Sequence, residues 1–186
     1  GVSDGADTVI DASGLTVTPG LVDLQVHVRE PGREDKETIE TASRAALAGG
    51  VTAIVAMPNT NPTADNQTVI EFVIKRAKEV GLISVYPTGT ITKGQKGDLL
   101  SEINEMKNSG AVAVTDDGVD VQNMDLLRKA FNYVKTCNIL LMSHCEVSEL
   151  TAGGVMHEGW VSTQLGLPGT PAMAEDLAVL KNIFLA

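Results

Sequence analysis

The stretch Val51-Thr-Ala-Ile-Val-Ala-Met57 is almost continuously apolar and rich in β-branched side chains. A short apolar run without alternation is typical of a strand that is buried on both faces of a parallel sheet. Comparable runs begin near Gly20, Ile83, Ala111 and Ile139, and the five starts are separated by 31, 32, 28 and 28 residues. About 30 residues is the length of one strand–helix step. The sequence therefore predicts an α/β protein with five strand–helix units.

Amphipathic patterns with helix-compatible ends fill the intervals between these runs. Helices are predicted over residues 34–48, over 65–80, around 99–106, around 127–134 and from Pro171 onward. The acidic residues Glu34, Asp35 and Glu37 suit the positive end of the first helix. Thr170 and Pro171 suit the N-cap and first position of the last one. The last pattern is still apolar at Ala186, so the chain is expected to stop within that helix.

Two arrangements of the five parallel strands, here called closures, are compatible with right-handed crossovers. One is an open doubly wound sheet, which five strands can complete, and the other is an eight-stranded barrel of about 250 residues, which they cannot. The turn after the first strand, Val26-His-Val-Arg-Glu-Pro-Gly32, lacks the Gly-x-Gly-x-x-Gly pattern of dinucleotide-binding sheets. Periodicity alone leaves both closures open.

The charge and cysteine content of the chain exclude some classes of partner and of protein. The 186 residues include 14 Lys+Arg and 24 Asp+Glu, a net charge of −10. This balance argues against nucleic-acid and anionic-membrane partners, which need a positive surface. Two cysteines, Cys137 and Cys145, form no disulfide framework, so a reducing cytoplasmic location is predicted.

Polar side chains cluster where the predicted strands end, which is where parallel α/β folds bind ligands. The terminal stretches are residues 23–30, 57–60, 87–90, 115–118 and 143–146. Within the first, alternation predicts that Asp23, Gln25, His27 and Arg29 face one side.

His27, His144 and a carboxylate from Asp116 or Asp117 are nitrogen and oxygen donors that suit zinc. Each also has a structural interpretation, because histidines at strand ends often only hydrogen-bond and Asp-Asp-Gly often forms a turn. His157, in a glycine-rich loop, is interpreted as solvated surface and is assigned no role.

The motifs together resemble dihydroorotases of the amidohydrolase superfamily. The similarity begins with Thr18-Pro-Gly-Leu-Val-Asp-Leu-Gln-Val-His-Val-Arg-Glu-Pro-Gly32. It continues through Ala48-Gly-Gly-Val-Thr52, Met57-Pro-Asn-Thr-Asn-Pro62, Thr115-Asp-Asp-Gly118, His144-Cys-Glu146 and Gly166-Leu-Pro-Gly169.

The resemblance implies a (β/α)8 TIM barrel of the amidohydrolase type, with about five of its eight units in residues 18–186. Residues 1–17 are then expected to be the remnant of a small β-sandwich domain. The implied reaction is the metal-dependent interconversion of dihydroorotate and N-carbamoyl-L-aspartate in pyrimidine biosynthesis, with two zinc ions in the complete protein.

The resemblance also implies site roles. His27 and His144 correspond to metal ligands, and Asp117, 27 residues before His144, to the carboxylate that bridges the ions. Arg29 and Asn59 correspond to the pair that holds the substrate carboxylate. The family's general base and later ligands are expected beyond Ala186.

Gln25 departs from the family pattern, because it stands where a further histidine ligand is expected. An amide oxygen is a weaker zinc donor than imidazole. An alternative function is therefore a non-catalytic dihydroorotase-like subunit that assembles with aspartate carbamoyltransferase. A lesser alternative is a hydantoinase or allantoinase, against which Asp117 argues because those relatives use a carboxylated lysine. The expected partners are a small-molecule substrate and further copies of the chain.

Overall fold

The computed structural model describes residues 5 and 7–186. Five parallel strands form one sheet whose spatial order equals their order along the chain. They are β1 (Leu21–Val26), β2 (Val51–Ala56), β3 (Ser84–Gly89), β4 (Ala113–Val114) and β5 (Leu140–Leu141). All five predicted strands are thus confirmed.

This strand order decides between the two closures. A doubly wound sheet reverses its order at a switch point, whereas a barrel adds each strand beside the last. The order β1-β2-β3-β4-β5 contains no reversal, and the sheet curls into part of a barrel with helices outside it. The chain therefore contains five units of a (β/α) barrel.

Seven helices follow the strands within the described ranges. They are α1 (Ile39–Ala48), α2 (Gln67–Val80), α3 (Ile103–Asn108), α4 (Met124–Cys137), α5 (Ser148–Thr151), α6 (Trp160–Leu165) and α7 (Met173–Leu185). A 3₁₀ turn at Lys93–Gln95 follows β3, and a second parallel pair, β6 (Met156–His157) and β7 (Gly169–Thr170), lies between α5 and α7.

Three predicted helix starts are wrong. The helix expected around residues 99–106 begins at Ile103, so Leu99 lies outside it. The helix expected from residue 34 begins at Ile39, because Thr38 caps it and accepts a hydrogen bond from the Thr41 amide. The last helix begins at Met173 and not at Pro171, because Thr170 pairs with His157 in β7 and is not available as a cap. No strand or helix was predicted within residues 148–169, where the structure has α5, β6, α6 and the start of β7.

The core consists of two apolar clusters between the sheet and its helices. One joins β1 and β2 to α1 and α2 and includes Val28, Ile39 and Ile54, all fully buried. The other joins the later strands to α2, α3 and α4 and includes Ile103 and Met106. These clusters fix the outer face of the sheet, so the carboxyl ends of the strands meet at one rim.

The two edges of the sheet are less covered. Leu21, Val22 and Leu24 of β1 are 59%, 59% and 62% exposed, and Leu140 of β5 is 71% exposed. The predicted β-sandwich remnant at residues 1–17 falls partly outside the described residues, and its described part contains no strand, so it stays a prediction. Within the described ranges, every helix is too short or too polar to cross a membrane.

Candidate active site

The Asp117 carboxylate, which follows β4, lies between two histidines from other strand ends. His27 Nε2 is 3.1 Å from one carboxylate oxygen, Oδ2, and His144 Nδ1 is 3.3 Å from the other, Oδ1. The Asp117 side chain is only 6% exposed, whereas each histidine keeps about a third of its surface open to solvent. The barrel rim thus brings together three side chains that are separated by up to 117 residues of sequence.

Asn59, at the end of β2, orients the ring of His27. Its Oδ1 lies 2.8 Å from His27 Nδ1, so Nδ1 carries the proton and donates it to the amide oxygen. Nε2 then presents a lone pair toward Asp117 Oδ2. That oxygen is buried and receives no hydrogen bond from the described residues. With that tautomer of the neutral ring, two electron-rich atoms face each other, and a positive charge between them would stabilise the pair.

Glu146 orients His144 in the same manner from the opposite side. Its Oε2 lies 3.1 Å from His144 Nε2, which leaves Nδ1 directed at Asp117. The hydroxyl of Thr151 donates to the other oxygen of Glu146. That hydrogen bond, with His144 nearby, lowers the pKa of Glu146 below its ordinary value. A carboxylate that holds one ring nitrogen of a histidine is a common partner of metal-binding imidazoles.

Two glutamines, one in a strand and one in the 3₁₀ turn after β3, contact Asp117. Gln25, in β1, donates from Nε2 to Asp117 Oδ1 over 2.8 Å. Gln95 donates from Nε2 to the Asp117 backbone oxygen over 3.0 Å. These bonds fix both the side chain and the backbone of Asp117.

The neighbouring Asp116 has a different environment. It is 2% exposed, and its Oδ1 accepts hydrogen bonds from the backbone amides of Ile91 and Thr92. Its Oδ2 accepts the Thr92 hydroxyl. Burial raises the pKa of Asp116, an effect that these hydrogen bonds oppose. The structure therefore separates the two carboxylates that the sequence left as alternatives: Asp116 ties the β3 loop to β4, and Asp117 faces the histidines.

The spacing around Asp117 fits a divalent cation. Two ligands of a tetrahedral zinc ion at about 2.0–2.1 Å lie about 3.3 Å from each other, close to the 3.1 and 3.3 Å found between the histidine nitrogens and Asp117. Oδ2 of Asp117 is buried without a hydrogen bond, and a cation beside it would compensate for that loss. Within the described ranges, however, no three His, Cys, Asp or Glu side chains surround a single point. The residues present therefore supply part of a metal's coordination sphere.

Arg29 departs from the predicted arrangement. Strand β1 ends at Val26, and Arg29 has a positive φ of 58°, so the alternation that would align it with Gln25 and His27 stops before it. Its side chain makes no hydrogen bond or ion pair within residues 5 and 7–186. Asn59 contacts His27 directly, and Arg29 stands in the adjacent loop.

A cavity of about 650 Å³ opens beside His144 and Asp117. Sequence reasoning missed several of its lining residues, namely Glu146, Thr151, Thr170, Glu175 and His157. His157 is exposed, as predicted, but it borders this cavity. Cys145 also lines it and is half-buried. The sequence could have identified Glu146 as a site residue, because it lies two residues after His144 at the end of a predicted strand.

A parallel half-barrel with paired histidines and a buried carboxylate at its carboxyl rim defines the architecture of the amidohydrolase class. The chain belongs to the dihydro-orotase-like family, whose model matches residues 14–186. It is 52% identical over 177 residues to a dihydroorotase of Geobacter metallireducens and 53% identical over 178 residues to one of Pelotomaculum thermopropionicum. These alignments cover 95% and 96% of the chain but 42% of each relative.

Solved structures support the fold. An L-hydantoinase (dihydropyrimidinase) from Arthrobacter aurescens superposes with a TM-score of 0.73 at 23% identity, over 95% of this chain and 41% of that one. A Saccharomyces cerevisiae dihydroorotase in complex with 5-fluoroorotic acid gives a TM-score of 0.61 at 17% identity, over 91% and 45%. At these identities the likeness concerns the barrel alone.

Proposed function

We propose that the protein carrying this chain is a cyclic amidohydrolase that interconverts dihydroorotate and N-carbamoyl-L-aspartate in pyrimidine biosynthesis. The observation that carries the proposal is the buried Asp117 carboxylate with one histidine at each oxygen, in a chain more than half identical to dihydroorotases. The chain spans 42% of those relatives, and the general base is expected outside residues 1–186.

The proposed cofactor is zinc, held by His27, Asp117 and His144, with Gln25 as a weaker candidate. A bound zinc ion lowers the pKa of its water toward neutrality and polarises the amide carbonyl under attack. The contribution of this chain is to fix donor atoms. Asn59 keeps the proton of His27 on Nδ1, and Glu146 holds Nε2 of His144, so that each ring directs its other nitrogen at Asp117.

Arg29 and Asn59 are proposed to bind the carboxylate of the substrate. With Oδ1 of Asn59 occupied by His27, the amide group Nδ2 remains to donate. A guanidinium provides the matching two-pronged donor for a carboxylate. Both residues follow neighbouring parallel strands, so their backbones reach the same rim. Holding the carboxylate there would place the ring amide beside the metal-binding groups.

The test is turnover of dihydroorotate by the intact protein with zinc, followed by chromatographic separation of substrate and N-carbamoyl-L-aspartate. Hydantoin and allantoin serve as competing substrates. We expect turnover of dihydroorotate only. Preference for hydantoin or allantoin would assign the protein to that other class, and inactivity with all three despite bound zinc would favour a non-catalytic subunit. Co-purification with aspartate carbamoyltransferase would then test the assembly role.

Arg29→Met tests the substrate contact. Loss of the guanidinium should raise KM for dihydroorotate at least tenfold while zinc content stays unchanged. The matched control is Arg33→Met, because Arg33 lies in the same loop but pairs with Asp35 at the surface. Equal KM values for the two variants would contradict the assignment of Arg29.

We place this activity in the cytoplasm, where the free thiols of Cys137 and Cys145 stay reduced.

A further inference from the structure

The backbone of Asp117 lies beyond the hydrogen bonds of the sheet. Strand β4 ends at Val114, and the last backbone bond to β3 is the one that the Thr115 amide donates to the Gly89 oxygen. Two residues further on, the Asp117 backbone oxygen accepts a 3.0 Å hydrogen bond from Nε2 of Gln95. Within residues 5 and 7–186, this is the one hydrogen bond that the Asp117 backbone makes. The direction of the Asp117 carboxylate therefore depends in part on a side chain from another loop.

The loop that carries Gln95 is itself tied to the residue before Asp117. The Asp116 carboxylate accepts the Thr92 backbone amide over 3.1 Å, and the Thr92 hydroxyl oxygen accepts the Gly97 amide over 3.0 Å. From the turn between these two bonds, the Gln95 side chain reaches back to Asp117. Asp116 therefore anchors the loop, and the loop in turn anchors Asp117.

Gln95 adopts a backbone conformation that its residue type does not favour. Its φ is 55°, and within the described ranges Arg29 and Asn138 are the other non-glycine residues with positive φ. Asn138 follows the last turn of α4, where asparagine is common in this conformation. Glutamine has no such preference, so a glycine would fit position 95 with less strain. Strained backbone of this kind is concentrated at functional sites, and the contact that Gln95 makes there is its bond to Asp117.

We propose that Gln95 is a positioning residue of the proposed metal centre. Its side chain fixes the Asp117 backbone, so that the carboxylate lies between His27 and His144 before an ion binds. Groups that hold a ligand in place strengthen metal binding, because less ordering has to accompany it. This inference rests on the proposed function, because it assumes that Asp117 binds zinc. Gln95 itself supplies no ligand atom and acts through Asp117 alone.

The experiment measures the zinc affinity of the intact protein by competition with a chelator, and the melting temperature of the zinc-free protein in parallel. Gln95→Met removes the donor and keeps the positive φ of a side-chain-bearing residue, whereas Gln95→Gly removes the donor and relieves the strain. Both should weaken zinc binding about tenfold, although Gln95→Gly should melt at the higher temperature of the two. Gln95→Arg keeps N–H donors on a long side chain and should restore most of the affinity.

The matched controls make the same chemical changes away from the site. Gln164→Met replaces an exposed glutamine of α6, and Asn138→Gly relieves a positive φ at the end of α4. Neither should change the zinc affinity. A loss in the Gln95 variants then reflects the contact with Asp117, and not the loss of any glutamine or of any positive φ. Gln95→Gly provides the same comparison if Gln95→Met does not fold.

An unchanged zinc affinity in folded Gln95→Met would overturn the positioning role and leave the proposed function intact. Affinities that follow the melting temperatures, with Gln95→Gly well above Gln95→Met, would also overturn it, because Gln95 would then only stabilise its loop. A Gln95→Arg variant as weak as Gln95→Met would contradict the role of the N–H donor. Absence of zinc from the unmodified protein would overturn the proposed zinc chemistry and the role of Gln95 together.

Discussion

Replacement of Asp116 by alanine should destabilise the fold strongly, although its neighbour Asp117 is the residue that faces the histidines. Asp116 is the acceptor for the buried backbone amides of Ile91 and Thr92 and for the Thr92 hydroxyl. Ile91 is 2% exposed and Thr92 is fully buried, so water cannot replace the lost acceptor. The β3 loop would lose its attachment to β4.

The expected loss of stability in Asp116→Ala follows from the backbone amides of Ile91 and Thr92, which would lose their hydrogen-bond acceptor. A buried donor left without a partner costs about 1–3 kcal/mol, so the two together should lower the free energy of unfolding by about 2–6 kcal/mol. Asp116→Asn keeps an oxygen that can accept from both amides, and its nitrogen can donate to the Thr92 hydroxyl oxygen. It should therefore cost only about 1 kcal/mol.

The assay is urea unfolding of the intact protein, followed by circular dichroism, for both Asp116 variants and for Asp117→Asn. Asp117→Asn should unfold within about 1 kcal/mol of the unmodified protein, because Oδ2 of Asp117 has no hydrogen bond to lose. If Asp116→Ala lowers the free energy of unfolding only slightly, or by less than Asp117→Asn does, then Asp116 is not the residue that stabilises the fold.

Three other predictions follow from buried or exposed groups. Lys181 forms a buried ion pair with Asp120, whose pKa burial raises, so Lys181→Met should cost about 3–5 kcal/mol at neutral pH. Protonation relieves the unpaired carboxylate, so that cost should shrink as the pH of the urea titration falls to about 4; a cost that is constant with pH would contradict the pairing. Glu146→Gln should weaken zinc binding about tenfold in a competitive chelator titration, because His144 loses its charged partner, whereas Glu149→Gln at the surface should not. The isolated chain, with open β1 and β5 edges, should self-associate in sedimentation velocity; a monodisperse monomer with a cooperative melt would exclude this.

The repeated fold was predictable because it rests on periodic features of the sequence. Runs such as Val51–Met57 must be buried on both faces, and the intervals of about 30 residues leave room for one helix each. The closure was not predictable from periodicity, because strand order is a tertiary property that consecutive runs do not encode. Helix starts also failed where tertiary contacts compete, as at Thr170, which pairs in a short strand instead of capping α7.

The site was predictable at the level of strand ends, which the parallel topology brings to one rim. His27 and His144 were located by that rule, and the structure brings both to Asp117. The partners of the ligand candidates were not predictable, because the Gln25–Asp117 bond and the Asn59–His27 bond depend on side-chain rotamers. Arg29 shows the converse, since β1 ends at Val26 and Arg29 has a positive φ, so the alternation that the sequence pattern suggested does not reach it.

We propose that the Asp117 cluster helps to hold the zinc on which the opening of dihydroorotate depends. The most direct test is the rate of ring opening by the intact protein before chelation, after chelation and after zinc is restored, beside Asp117→Asn under the same conditions. We expect that chelation abolishes turnover, that zinc restores it in the unmodified protein, and that folded Asp117→Asn stays inactive at every stage. Turnover that survives complete zinc removal, or an Asp117→Asn variant that keeps its activity, would contradict this proposal.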